Sequence, residues 1–153
     1  YTEEGAPYVD NMQRLLRKFD TAKSLVPRPI MTPAKEKARD GVIFFGSSSA
    51  AMKEALVALE AQGVHLDAMR IRAFPFHQDV ADFVAAHERI FVVEQNRDAQ
   101  LRTLLVNEEE IDPAKLVPVL HYDGTPITAR FIQAAIADRA SSANVLPFRK
   151  ATP

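Results

Sequence analysis

The chain has 153 residues, 47% of them hydrophobic and 25% charged, with 19 basic side chains against 20 acidic ones and a net charge of -1. This length fits one domain that buries about two thirds of its unfolded surface, and the charge balance leaves no electrostatic footprint for nucleic acid or an anionic membrane. With no cysteine, disulfides, thiolate zinc sites, cysteine-held iron-sulfur clusters and cysteine nucleophiles are excluded within this segment.

No apolar run approaches the roughly 20 residues that span a bilayer, and "YTEEGAPYVD" lacks the basic-then-apolar pattern of a signal peptide. The chain reads as soluble and cytoplasmic. Its start at Tyr1 rather than methionine suggests a fragment or a processed piece of something longer.

Near the N-terminus, Met12, Leu15, Leu16 and Phe19 recur at helical spacing among basic residues, which predicts an amphipathic helix. Such a helix packs on its own or a neighbouring domain; the other reading is a helix lying on a membrane surface. In "VPRPIMTPAKEKARDG", Pro27, Pro29 and Pro33 forbid a continuous helix and favour extended backbone. This is read as a linker that can carry an edge strand.

From Gly41 onward the pattern alternates. "VIFF" is a short apolar run of the kind buried on both faces of a sheet. A helix follows, capped by Ser48 or Ser49, with Met52, Ala55, Leu56 and Leu59 inward and Gly63 at its left-handed end. "VHLDAMRIRAF" is a second strand and "QDVADFVAAH" a short helix with Val80, Phe83 and Val84 inward. "RIFVV" is a third strand. The next helix is expected to be capped by Asp98 and pinned by Leu101, Leu104 and Leu105. "KLVPVLHY" is a fourth strand, placed at an edge by Pro118, which cannot donate to a ladder. Thr128 caps the last helix, "ARFIQAAIADRA", with Phe131, Ile132, Ala135 and Ile136 inward. The alternation predicts an α/β three-layer sandwich with a mostly parallel sheet. The expected division is an N-terminal helix and proline-rich linker over 1–40, the α/β domain over 41–140 and a mobile tail over 141–153.

Ligands of open α/β sheets lie beyond the carboxyl ends of the strands. At the first such turn, Gly46, Ser47, Ser48 and Ser49 meet a helix N-terminus and form a weak anion-site candidate. The turn lacks the glycines of a dinucleotide fingerprint, the Gly-Lys-Ser/Thr of a phosphate loop and the second glycine of a nucleophile elbow, and helix capping alone explains it. The four histidines, His65, His77, His87 and His121, show no metal-ligand spacing; His77 and His121 sit near strand ends and are read as structural or exposed, with contact to a partner or ligand as the alternative. The acidic run from Glu108 to Glu110 is read as solvated.

The turn "EQNRDAQLR" gathers a carboxylate, side-chain amides and guanidinium groups. Glu94, Gln95, Asn96, Arg97, Gln100 and Arg102 suit hydrogen bonding across an interface or to a small polar ligand, and plain helix capping competes with both. No catalytic residue and no metal site is assigned.

"FVVEQNRDAQLRTLL", "HYDGTPITARFI" and the upstream "TEEGAPYVDNMQRLLRKF" resemble the C-terminal part of the alpha subunit of 2-oxoacid:ferredoxin oxidoreductases, most of all the 2-oxoglutarate type. The resemblance runs from about Thr2 to the last helix. It implies a transketolase C-terminal-like domain within an enzyme that converts a 2-oxoacid and coenzyme A into acyl-CoA and carbon dioxide while reducing ferredoxin. It implies that thiamine diphosphate and magnesium are held mainly by a partner beta subunit and the preceding domain of the alpha subunit, with an iron-sulfur cluster elsewhere. No cofactor is expected on this segment, which would be inactive alone and serve subunit packing and active-site shaping. Its partners would be that beta subunit, the rest of the alpha subunit and, through the complex, ferredoxin. Two other classes remain: the C-terminal domain of another thiamine enzyme, which the "EQNRDAQ" turn disfavours, and a free-standing nucleotide- or partner-binding α/β module, which would want a phosphate loop or a clustered acidic pocket.

Overall fold

Alternating apolar side chains on short strands, each followed by a helix with one apolar stripe, can bury both patterns only by stacking helices on the two sides of a sheet. The computed structural model, which describes residues 3–142, has that arrangement. Its elements are α1 (Gly5–Leu25), β1 (Ile30–Thr32), β2 (Asp40–Phe45), α2 (Ser48–Glu60), β3 (Leu66–Ile71), α3 (Asp79–Ala86), β4 (Arg89–Glu94), α4 (Gln100–Glu109), β5 (Leu116–Leu120) and α5 (Ala129–Ser142). The strand order is β1-β3-β2-β4-β5. β2, β3, β4 and β5 run parallel, and β1 joins β3 antiparallel, with Met31 opposite Met69.

The period of two sorts the strand residues cleanly. Val42, Phe44, Ala68, Phe91 and Val93 point to the side covered by Met52, Ala55 and Leu59 of α2 and by Ile132 and Ile136 of α5. Ile43, Met69, Ile71, Ile90 and Val92 point the other way, under Val80, Phe83 and Val84 of α3 and under Leu101 and Leu105 of α4. The sandwich is therefore three layers thick with a core on each side of the sheet. Gly41 is small by necessity: a Cβ there would stand 2.8 Å from Ile90 Cδ1 and 2.9 Å from the Phe83 ring. Pro118 lies in β5, an edge strand that pairs only with β4, as its missing N–H requires.

Several local expectations give way to the three-dimensional arrangement. The proline-rich segment supplies β1 as an edge strand, in keeping with its sequence, whereas α1 starts earlier than its apolar spacing suggests, which Pro7 tolerates because it falls in the first turn, where no intrahelical N–H is needed. No α1 residue is buried; Phe19 alone makes a ring contact with the body, edge-on to Phe74 at 5.5 Å. Leu104 is exposed while Leu101 and Leu105 are buried, since the sheet covers only the stripe centred on those two. The mobile tail was placed from 141, whereas α5 continues to Ser142; residues 143–153 lie outside the described residues. No helix among the described residues is long and apolar enough to cross a membrane.

Candidate functional site

β2 has β3 on one side and β4 on the other, so the direction of winding reverses there. The crevice beyond the carboxyl ends of β2 and β4 is where an open α/β sheet ordinarily receives a ligand. It brings together the two turns singled out in the sequence, the one after β2 with Gly46 to Ser49 and the one after β4 with Gln95 to Gln100.

In the first turn Gly46 takes a left-handed φ of +57°, which a side chain would strain. Ser47 is the N-cap of α2 but makes no capping hydrogen bond with its side chain. The expected caps behave otherwise. Ser48 is the first residue of α2 and buried, and Ser49 turns its hydroxyl back to donate to the Gly46 carbonyl at 2.6 Å. The Ser47 and Ser48 hydroxyl oxygens both accept from Gln95 Nε2, at 2.9 and 3.1 Å. Gln95 Oε1 in turn accepts from the backbone N–H of Ile127, at 3.3 Å. One amide side chain thus ties the turns after β2, β4 and β5 together.

The second turn is organised by Glu94, whose side chain is wholly buried. Its Oε2 accepts from Leu101 N at 2.7 Å and Asn96 Nδ2 at 2.8 Å, and its Oε1 from Arg102 N at 3.0 Å. Asp98 therefore does not cap α4: the geometric N-cap is Ala99, in a left-handed conformation with φ +51°, and a carboxylate from the end of the preceding strand takes the orphan N–H groups instead. This placement suits the positive end of the helix dipole. Asn96 Oδ1 accepts from Asp98 N and Gln100 N, at 3.1 and 3.2 Å.

The remaining members of the turn divide by exposure. Arg102 points inward along α4, donating to the Leu116 carbonyl at 2.9 Å and the Pro113 carbonyl at 2.7 Å, which fixes the start of β5. Arg97 pairs with Asp98 at 2.8 Å, both well exposed, and Gln100 is exposed. The exposed side chains of the turn are Gln95, Arg97, Asp98 and Gln100, of which Gln95 is spent on the bridge between turns, while buried Glu94 and half-buried Asn96 and Arg102 hold the scaffold beneath them.

The histidines are engaged with their own chain. His121 is buried against the Phe131 ring at 4.8 Å and bonds the Thr125 carbonyl at 2.9 Å; beside it, the Thr125 hydroxyl and N–H hold the Asp123 carboxyl below the ordinary aspartate range. His77 Nδ1 accepts from Asp79 N at 3.2 Å, at the start of α3. His87 sits between the Phe83 carbonyl, at 2.7 Å, and Asp67, at 3.0 Å. Among the described residues no three acidic, histidine or cysteine side chains are grouped to hold a metal.

The bridge from Gln95 to Ser47, Ser48 and Ile127 was missed in the sequence. Its only signal is the switch-point rule, which requires knowing that β2 and β4 are neighbours.

No protein-family model matches the chain, and no curated protein matches it. Solved structures do. A 2-oxoglutarate:ferredoxin oxidoreductase from Magnetococcus marinus, solved with 2-oxoglutarate, coenzyme A and succinyl-CoA bound, aligns with a TM-score of 0.77 over 90% of this chain at 22% identity. This chain spans only 24% of that one. A split-gene transketolase, described as an inactive beta4 tetramer, aligns with a TM-score of 0.58 over 73% of this chain and 41% of its own at 20% identity. The alpha chain of a probable 2-oxoacid ferredoxin oxidoreductase from Thermoplasma acidophilum gives 0.50 over 74% and 97%, again at 20% identity. The resemblance noted in the sequence thus has a counterpart in three dimensions, and the chain has a transketolase C-terminal-like α/β fold of the kind found in these oxidoreductase and transketolase chains.

Proposed function

We propose that the chain is the C-terminal domain of the alpha subunit of a 2-oxoacid:ferredoxin oxidoreductase, of the 2-oxoglutarate type, and that it packs against catalytic subunits without carrying the chemistry itself. The observation that carries this reading is the fold match over 90% of the chain to a 2-oxoglutarate:ferredoxin oxidoreductase, at the same stretch where the sequence resemblance lies. In this reading residues 1–40 are a helix and linker, 41–140 the α/β domain and 141–153 a tail, all within the cytoplasm.

The cofactors implied for such an enzyme are thiamine diphosphate with magnesium and an iron-sulfur cluster. The side chains at the switch point of this segment do not fit them. The buried carboxylate at the switch point, Glu94, already takes three hydrogen bonds from its own turn, and the sequence offers no thiolate. No step of the reaction is routed through this chain. Its contribution is the rim of Arg97, Asp98 and Gln100, whose exposed polar groups suit hydrogen bonds at the edge of an interface, together with the apolar stripe of α1.

The test is to co-express the chain with its genomic neighbours, purify what accompanies it, and assay coenzyme A-dependent oxidation of 2-oxoglutarate and pyruvate with and without it. The expected result is copurification of a thiamine-binding, cysteine-bearing partner and an activity that requires this chain. A monomer that captures no partner, and activity indifferent to its presence, would refute the proposal.

A further inference from the structure

On the side of the sheet shared by α2 and α5, α2 packs over β2 and β3 and α5 over β5, so α2 lies along one side of the outer strip formed by β3 and β1. A groove of about 600 Å³ runs between α2 and these strands, a size within the range of small-molecule pockets. On its floor lies Arg70, level in the ladder with Ile30 on β1 and Phe44 on β2. The Arg70 Nε is buried and has no hydrogen-bond partner among the described residues. None of the ion pairs among the described residues includes Arg70 or Lys53, which lines the same groove from α2.

Of the other ionisable side chains of the groove, Lys35 pairs with Glu60 at 2.8 Å, and His65 Nε2 lies 3.5 Å from the Glu36 carboxylate. Arg70 and Lys53 are left over in a groove whose walls also carry the apolar side chains of Phe44, Leu56, Val57 and Val64. Val57 is 69% exposed among the described residues, which leaves an aliphatic group on α2 open to the groove. A buried guanidinium N–H without an acceptor is unfavourable, and the planar fork of arginine matches a carboxylate or phosphate with two parallel hydrogen bonds.

We infer that this groove binds a small molecule with an anionic head and an apolar body, the head a carboxylate or phosphate held by Arg70 with Lys53, the body lying on Phe44, Leu56, Val57 and Val64. The site is independent of the oxidoreductase reading, because it rests on the pairing of charges in this chain alone.

The experiment is calorimetric titration of the full chain, with any subunits that purify with it, using phenyl phosphate and phenylacetate as probes and inorganic phosphate and benzyl alcohol as the separate halves. One anionic probe should bind at one site per chain, at least about tenfold more tightly than either half. The probe preferred, phosphate or carboxylate, identifies the head group. Arg70→Met should weaken binding by about tenfold or more, Arg70→Lys by less, and Lys53→Gln by about two- to fivefold. Lys53 is an exposed position on α2, so its variant separates lost binding from lost folding, with a thermal melt as the control. Failure of the parent chain to bind either probe at about 10 mM, a concentration that would register even the weakest specific sites, overturns the inference, as does binding that both neutral variants leave within about twofold. Binding seen only after copurifying subunits are stripped away makes the groove a subunit contact, and also overturns it.

Discussion

Glu94→Gln separates a cap supplied by the strand from one supplied by the loop. The substitution keeps the shape of a wholly buried side chain and exchanges one acceptor oxygen for an NH2 group. Its best placement leaves the amide oxygen where Oε2 was, still receiving Leu101 N and Asn96 Nδ2. The new NH2 then faces the Arg102 N–H that Oε1 had accepted at 3.0 Å, donor against donor. One charge-assisted hydrogen bond is lost, about 1.5–3 kcal/mol, and the two that remain are weakened by loss of charge. The sum is about 2–4 kcal/mol, which for a chain of this length lowers Tm by on the order of 10 °C. Asp98→Ala is the comparator: among the described residues its carboxylate pairs only with exposed Arg97, so its loss should cost less than about 1 kcal/mol. Thermal and urea melts of both variants decide the matter. A Glu94→Gln protein melting within about 1 °C of the parent, or an Asp98→Ala protein as weakened as Glu94→Gln, would refute the assignment of the cap.

Three further outcomes are expected. Gln95→Ala should cost about 1–2 kcal/mol and speed hydrogen exchange at the Ile127 amide by about tenfold, because that N–H loses its acceptor; unchanged protection at Ile127 would count against the three-turn bridge. Ala99→Gly should stabilise by about 0.5–1 kcal/mol in urea melts, since relief of the left-handed strain at φ +51° outweighs the greater freedom of glycine in the unfolded chain; a loss of stability would contradict it. The Glu109 carboxyl is pushed above the ordinary glutamate range, first by desolvation and then, against the opposing pull of Lys23, by Glu108. Its folded pKa exceeds its unfolded one, so its contribution to stability is fully present below the unfolded value and is lost as pH rises through the folded one. Glu109→Gln should therefore stabilise the chain at neutral pH, with the difference closing below about pH 4, as read from melts across that range; a difference that widens on acidification would reverse the assignment.

The elements that were legible in the sequence are those whose signal is local. "VIFF", the Val80, Phe83 and Val84 stripe, the edge position of Pro118 and the Thr128 cap, whose hydroxyl accepts from Phe131 N at 3.2 Å, each depend on neighbours within a few residues. The failures share a cause. Ser48, Ser49 and Asp98 are good capping residues in isolation, but other hydrogen bonds pre-empt each: Gln95 donates to Ser48 across 47 positions, Ser49 donates back to the Gly46 carbonyl, and Glu94 accepts from Leu101 across seven. Strand order decided the first of these, and nothing in hydrophobic periodicity reveals that β3 and β4 flank β2 on opposite sides; the last is local, but capping rules look for the acceptor at the N-cap position and not at the end of the preceding strand. Arg70 resembles the first. In "AMRIRAF" it reads as an ordinary polar residue of an alternating strand, and its lack of a partner is visible only once β1 and α2 are in place.

The strand-borne cap has a consequence for how this turn can change. When a loop residue caps a helix, altering the loop for a new surface also unravels the helix start. Here the residues that keep α4 wound, Glu94 with Asn96, precede Arg97 and Asp98 in the chain, and the outward side chains of that dipeptide are not spent on the Glu94 cap. Their side chains can be exchanged to suit a different neighbour at little cost to folding, so this corner is a natural place to retune specificity or to graft a new contact.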